Sequence, residues 1–164
     1  MRKLIILRGN SGSGKSTIAK ELQNRFGANT MLISQDVIRR DVLKVKDGKN
    51  TPALPLMKEL LIYGHYHSNI VILEGIMYAD WYKPLFDLSV QLYGSEIYAY
   101  YFDLPFEETL KRHQTKPNCH EFGEEAMRGW WREKDISDVL NEVSITSERN
   151  IDDIVEDIYN LVLF

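Results

Sequence analysis

The sequence has little of what marks several protein classes. It contains one cysteine, Cys119, in 164 residues, which excludes an internal disulfide and predicts a reducing, cytoplasmic setting. No stretch approaches the roughly 20 consecutive apolar residues of a membrane span. The apolar run near the N-terminus ends at Arg8, too short for the core of a secretion signal. We therefore expect no membrane partner.

An excess of positive charge is also missing. Twenty Lys and Arg face 24 Asp and Glu, which leaves a net charge of −4, so an extended nucleic-acid surface is not expected. A nucleic-acid end held in a local pocket stays open, and the sequence does not indicate an oligomeric state. The hydrophobic fraction of 44% and the charged fraction of 27% are ordinary. The length is enough for a single domain, residues 1–164, with a buried core.

Short apolar runs alternate with stretches of helical spacing along the chain. The runs predict five strands at Leu4–Leu7, Met31–Ile33, Ile70–Leu73, Ile97–Phe102 and Val143–Ile145. The spacing predicts helices over 18–26, 37–45, 56–66, about 105–114, 126–136 and 151–162. This alternation predicts an α/β fold, a three-layer αβα arrangement around a five-stranded parallel sheet. Ligands of such sheets bind at the carboxyl ends of the strands.

A phosphate-binding pattern, GxxxxGK[ST], lies between the first predicted strand and the first predicted helix. Its backbone N–H groups can point at one phosphate chain, assisted by the positive end of the helix. Lys15 can reach the β- and γ-phosphates, and the Ser16 hydroxyl can ligate Mg²⁺. The predicted nucleotide-binding residues are Gly9, Asn10, Ser11, Gly12, Ser13, Gly14, Lys15, Ser16 and Thr17.

Acidic residues follow the second and third predicted strands. Asp36 comes where a strand gives way to a helix, so its carboxylate can accept the proton of an attacking hydroxyl, or simply cap the helix. Arg39, one helical turn later, can hold an anionic group of the acceptor. Glu74 ends the third strand and is predicted to assist the metal ion. Contact with the acceptor, or a turn closed with Gly75, are the alternatives for Glu74.

Basic residues cluster between residues 111 and 134 around an irregular segment. Phosphoryl transfer gains from cations aimed at charge that develops on the moving group. We therefore predict a small helical lid over residues 112–135. Arg112 is the first candidate for a catalytic arginine, and Arg128 and Arg132, which share a helical face, come next.

Two other groups are weaker signals. His113, Cys119 and His120 lack a fourth ligand and a familiar spacing for zinc. Trp130 and Trp131 can stack on a base or anchor the lid helix in the core, and core packing is the favoured interpretation.

The chain resembles P-loop kinases of the nucleoside/nucleotide kinase-like group at 9–17, Asp36 and Arg39. Residues 33–40 are similar to the second motif of polynucleotide 5′-kinases, and chloramphenicol phosphotransferases and zeta-toxin-like kinases carry a related acidic residue there. The resemblance implies that Asp36 activates the acceptor hydroxyl and that Arg39 contacts the acceptor, through a phosphate in polynucleotide kinases. The segment 116–123 matches no known substrate motif.

Residues and resemblance together predict a kinase with ATP and Mg²⁺ as cofactors. The γ-phosphoryl group would pass to a hydroxyl of a nucleoside, a nucleotide, a nucleic-acid end or another small molecule. Lys15, Asp36, Arg39, Arg112 and Arg128 are the predicted catalytic residues, and Ser16 and Glu74 the predicted metal ligands. The alternative is a regulatory protein that hydrolyses ATP as a switch and has no phosphoryl acceptor.

Overall fold

The computed structural model describes residues 1–117 and 119–164. The strands are β1 (Lys3–Gly9), β2 (Thr30–Ser34), β3 (Ile70–Gly75), β4 (Ile97–Phe102) and β5 (Glu142–Ile145). The helices are α1 (Lys15–Phe26), α2 (Gln35–Val37), α3 (Ala53–His67), α4 (Lys83–Tyr93), α5 (Phe106–Gln114), α6 (Glu124–Trp130) and α7 (Ile151–Leu163). A π-helix, Ile38–Leu43, continues α2.

The strands form one parallel sheet in the order β2-β3-β1-β4-β5. The predicted five-stranded parallel sheet is therefore confirmed. β1 lies at the centre and pairs with β3 and β4, and Leu4–Leu7 have no exposed surface. Complete burial of consecutive residues explains why this strand shows no alternation of polar and apolar residues.

Hydrophobic side chains cover both faces of the sheet. On one face, α3 and α4 pack through side chains such as Leu61 and Phe86. On the other, α1 and α7 pack through side chains such as Leu22 and Ile158. The predicted three-layer αβα arrangement follows from these two cores. Within the described ranges, no helix is both long and apolar enough to cross a membrane.

Three helical segments differ from the sequence-based expectation. Helix α4 is not among the predicted helices, although Pro84 in its first turn and Gly94 after its end are typical boundary residues. Helix α6 ends at Trp130, six residues before the predicted end, because Trp131 is extended. In place of the helix predicted over 37–45, the chain forms a π-helix that ends at Leu43 and is followed by Lys44 in the left-handed conformation.

A buried arginine ties the end of β1 to the segment before β5. The Arg8 side chain has no exposed surface, and its guanidinium lies over the rings of Phe86 and Tyr101 at 5.1 and 5.5 Å. Its Nη1 donates to both carboxylate oxygens of Glu142, at 2.9 and 3.2 Å. The backbone oxygen of Asp135 accepts from Nη1 and Nη2 at 2.9 and 2.8 Å. Buried charges are tolerated when they are paired and hydrogen-bonded in this way.

Replacing Arg8 with Met should destabilise the protein by about 3–5 kcal/mol, because Glu142 is left as an unpaired buried charge. Burial already raises the pKa of Glu142, an effect that Arg8 opposes. Without Arg8 the folded-state pKa rises further. The ionised carboxylate of Glu142 is then the form that destabilises the folded variant. The deficit in unfolding free energy against wild type should therefore shrink as the pH falls from 8 to 5 and Glu142 takes up a proton. Urea unfolding at each pH measures this difference.

The double variant Arg8→Met, Glu142→Gln should lose less stability than the sum of the two single variants, since no buried charge remains. Lys83→Met is the matched control. It removes an exposed pair with Asp87 and should cost at most about 0.5 kcal/mol. Additive losses in the double variant, or an unchanged deficit at pH 5, would contradict the assigned pairing.

Candidate active site

The phosphate-binding pattern forms a loop at the carboxyl end of the central strand β1. Gly14, with a φ of 95°, adopts the left-handed conformation at the start of α1. A Cβ atom on Gly12 would lie 2.3 Å from the backbone oxygen of Thr109 in α5. Glycine is required at both positions, once for the backbone conformation and once for the close approach to α5.

Lys15 is folded back along this loop. Its Nζ donates to the backbone oxygen of Asn10 at 2.9 Å and to the hydroxyl of Ser13 at 3.2 Å. Burial lowers the Lys15 pKa to about 8, whereas the nearby charge of Glu74 acts in the opposite direction. A buried ammonium held by neutral oxygens is well placed to exchange them for phosphate oxygens.

Glu74, at the end of β3, brings the predicted metal ligands together. Its side chain is buried and accepts hydrogen bonds from the hydroxyls of Ser16, at 3.1 and 3.2 Å, and Ser34, at 2.7 Å. Two hydroxyls around one buried carboxylate form a set of hard oxygen donors that fits Mg²⁺. The donors come from three segments: the loop, the end of β2 and the end of β3.

Asp36 lies inside α2, one position after its first residue, and is not the N-cap, which is Ser34. Its Oδ1 accepts from Arg39 Nη2 at 2.9 Å and faces Arg40 Nε at 3.0 Å. The carboxyl side chain is 52% exposed, so it remains accessible. The structure thus brings Asp36 and Arg39 together, as the helical spacing predicts.

A cavity of about 600 Å³ opens beside Asp36. Its lining combines arginine, lysine and aspartate side chains with aromatic rings. The cavity is lined by Asp36, Arg39, Arg40, Lys46, Asp47, Ile76, Tyr78, Trp81, Gly129, Trp130, Trp131 and Arg132. Asp36 therefore lies at the border of a space large enough for a second substrate.

Two basic side chains of the predicted lid approach the phosphate-binding loop. Arg112 Nη1 donates to the backbone oxygen of Ser13 at 3.0 Å, and its Nε pairs with Glu108 at 3.1 Å. Lys116 is half-buried. Its pKa is lowered by burial, while the charges of Glu74 and Asp36 act in the opposite direction. Both cations thus lie near the place where phosphates would be held.

Arg128 and Arg132 point to different surroundings although they share the sequence spacing of one helical face. Arg128 pairs with Glu124 at 2.7 Å, is 61% exposed and is absent from the cavity lining. Arg132, which follows the end of α6, lines the cavity. Of these two candidates, the geometry favours Arg132 over Arg128 as the residue next to the acceptor space.

Asn10 uses its side chain to hold the backbone of Arg132. Its Nδ2 donates to the Arg132 oxygen at 2.7 Å, and its Oδ1 accepts from the Arg132 N–H at 3.0 Å. The side-chain amide of Asn10 is therefore engaged away from the phosphate position and its backbone oxygen accepts from Lys15, which leaves its backbone N–H to serve a nucleotide. This contact joins the phosphate-binding loop to the wall of the cavity.

Several residues of this site were not singled out from the sequence. Ser34 follows β2, and Tyr78 and Trp81 follow β3, so the rule for carboxyl ends of parallel strands applies to them as it does to Asp36. Lys46 and Asp47 come from the loop before α3, and no sequence pattern connects them with the site. Of the expected helix anchors, Trp131 packs its edge on Phe106, outside the two hydrophobic cores.

His113, one of the three residues weighed as zinc ligands, has other partners in the structure. His113 is buried and stacks on the ring of Phe122, and its Nε2 lies 2.9 Å from the Phe122 backbone oxygen. Cys119 is half-exposed. Across residues 1–117 and 119–164, no three His, Cys, Asp or Glu side chains form a metal-holding group. Mg²⁺ needs no such group, because one or two carboxylates and substrate phosphates suffice.

Solved structures share this fold over almost the whole chain. A gluconokinase from Sinorhizobium meliloti 1021 is 16% identical, with a TM-score of 0.68 over 99% of this chain and 94% of its own. The APS kinase of Mycobacterium tuberculosis, in complex with AMPPNP and APS, is 16% identical, with a TM-score of 0.67 over 99% and 98%. A shikimate kinase from Acinetobacter baumannii, in complex with shikimate, is 16% identical, with a TM-score of 0.62 over 99% and 94%.

At these identities the similarity concerns the fold, which is that of P-loop kinases. No curated protein matches the sequence. A protein-family model described as AAA domain, a P-loop domain, matches residues 4–132 and so includes the phosphate-binding loop, Asp36 and Glu74. The chain therefore belongs to the AAA domain family and has the fold of P-loop kinases.

Proposed function

We propose that the chain is an ATP-dependent kinase that transfers the γ-phosphoryl group of ATP to a hydroxyl of a small molecule or a nucleic-acid end. One observation carries the proposal: an accessible carboxylate, Asp36, lines a cavity of about 600 Å³ and is close enough to Lys15 of the phosphate-binding loop for its charge to act on that ammonium. A switch ATPase needs the loop and the metal site, but it has no use for a second substrate space beside a carboxylate.

Asp36 acts on the acceptor in this proposal. Its carboxylate takes the proton of the hydroxyl while the acceptor oxygen bonds to the γ-phosphorus. The bond from that phosphorus to the β,γ-bridging oxygen breaks, and ADP leaves with that oxygen. Arg39, which already pairs with Asp36, orients the carboxylate and contributes positive charge on the acceptor side.

Lys15, Arg112 and Lys116 supply positive charge on the donor side. Lys15 holds the β- and γ-phosphates from within the loop, and Arg112 is fixed on the loop through Ser13. Cations fixed in place before the reaction stabilise the charge that develops on the transferred group. Ser16 and Glu74 would hold Mg²⁺, which neutralises phosphate charge when bound.

Asp36→Asn should lower phosphoryl transfer by at least about 100-fold, since the amide cannot accept the hydroxyl proton. ATP binding should remain close to wild type. Lys15→Ala should abolish transfer and weaken ATP binding as well. Transfer of radiolabelled γ-phosphate to a panel of nucleosides, nucleotides, oligonucleotides, sugars, and aminoglycoside and amphenicol drugs measures the first effect. Calorimetric titration with ATP measures the second.

Asp41→Asn is the matched control, because Asp41 is an exposed carboxylate on the same π-helix, and it should keep full transfer. Full turnover of Asp36→Asn would remove Asp36 as the base. ADP release that no acceptor raises above the water background, together with partner binding that differs between ATP and ADP, would favour the switch ATPase instead.

Glu74→Gln should raise the Mg²⁺ concentration needed for half-maximal transfer by about 10- to 100-fold, because a ligand charge is lost while its shape is kept. ATP binding without Mg²⁺ should not change. Transfer rates across a series of Mg²⁺ concentrations give the shift. Glu21→Gln, an exposed position on α1, serves as the control, and an unchanged Mg²⁺ dependence in Glu74→Gln would refute the role of Glu74 as a ligand.

A further inference from the structure

All three tryptophans of the chain, Trp81, Trp130 and Trp131, line the cavity beside Asp36. Trp81 is partly buried and packs against one of the two hydrophobic cores, whereas Trp130 and Trp131 are not among the described residues of either core. Trp130 is 36% exposed, and the other two are half-buried. Large rings that line a cavity and keep exposed surface offer stacking faces to a flat ligand.

The aromatic wall is held in place from several sides. The guanidinium of Arg132 lies 3.7 Å from the ring centre of Tyr78 and 5.2 Å from that of Trp81, and Arg132 Nη1 pairs with Asp80 at 2.6 Å. The Tyr78 hydroxyl donates to the backbone oxygen of Trp130. A wall fixed in this way presents its rings without a further loss of side-chain freedom on binding.

The charged side chains that line the cavity have a positive net formal charge. Four cationic side chains line it, and two acidic ones, Asp36 and Asp47, lie among them, which leaves a formal charge of +2. The cations are Arg39, Arg40, Lys46 and Arg132. Arg40 and Arg132 also pair with Glu121 and Asp80, which lie outside the lining, so this excess holds for the lining residues alone. Guanidinium groups bind phosphate and carboxylate through paired hydrogen bonds.

We propose that the acceptor is a ring-bearing anion: a compound with a flat or cyclic part that stacks on Trp81 and one phosphate or carboxylate that meets the arginines. This inference rests on the proposed kinase function, in which the acceptor hydroxyl faces Asp36. Nucleoside monophosphates, sugar phosphates and cyclic sugar acids share this chemistry. A volume of about 600 Å³ is in the usual range for ligands of this size.

Binding is measured first, without ATP, through the fluorescence of the three tryptophans excited at about 295 nm, where nucleobases absorb little. Matched pairs are titrated: AMP against adenosine, glucose 6-phosphate against glucose, and glucuronate against glucose. Within at least one pair, the anionic member should bind at least tenfold more tightly. Equal binding by the neutral members, or no fluorescence change with any compound, would overturn the proposal.

Trp81→Ala should weaken binding of the best compound by about 5- to 150-fold, the range expected for one stacked ring. Tyr63→Ala, an exposed aromatic on α3 outside the cavity, is the control and should not change it. Arg40→Gln should weaken the anionic member more than its neutral counterpart and so tests the charge separately. Unchanged affinity in both cavity variants, with folding verified by circular dichroism, would overturn the proposal.

Phosphoryl transfer to the same pairs separates this inference from the proposed function. Transfer to the anionic ring compounds, with a higher acceptor KM and an unchanged KM for ATP in Trp81→Ala, supports both. Tight binding without transfer supports the ligand class and contradicts the kinase. Efficient transfer to an acceptor that lacks the ring or the anion keeps the kinase and overturns the ligand class.

Discussion

The buried charge of Arg8 constrains the whole carboxyl edge of the sheet. A guanidinium without exposed surface must be fully paired, and its partners Asp135 and Glu142 lie in and next to a stretch that has no regular structure before β5. Asp135 in turn accepts from the N–H of Ala79 at 2.8 Å. The end of β1, the loop after β3 and the segment before β5 are therefore held together by one ion-pair cluster. Arg8 directly precedes the phosphate-binding loop, so this cluster also fixes the loop relative to the aromatic wall.

The candidate site has a donor half and an acceptor half that meet at Asp36. The donor half is built from backbone geometry and buried charges: the loop, Lys15 and Glu74 with its two hydroxyl partners. The acceptor half is built from exposed rings and arginines on loops. Asn10 connects the two halves, since its side chain holds the backbone of Arg132. The donor half of such a site can be recognised in a sequence from short motifs, whereas the acceptor half varies with the substrate.

Sequence reasoning predicted the sheet, its helical layers on both faces and the positions of the loop, Asp36 and Glu74, because these depend on local periodicity and on residues a few positions apart. It failed where contacts between residues far apart in the sequence determine the local structure. Helix α6 stops at Trp130, and the backbone of Arg132 just beyond it is held by Asn10, 122 positions away along the chain. Arg8 resembles any charged residue at a strand end, and its partner Glu142 is 134 positions away. Helix α4 is a different case. Its boundary residues, Pro84 and Gly94, can be recognised in the sequence, but the helical spacing of its apolar residues was not.

β1 precedes in the chain both strands that flank it in the sheet. Its central place in the sheet requires β3, residues 70–75, on one side and β4, residues 97–102, on the other. The ion pair of Arg8 requires Glu142, which lies 134 positions later in the chain. Such distant pairings close large loops and form slowly. During synthesis residues 9–17 therefore leave the ribosome with the full nucleotide motif before the sheet that shapes it exists. A nascent chain that ends before β4 carries the motif without its binding site, so nucleotide can stabilise only a chain that extends beyond β4.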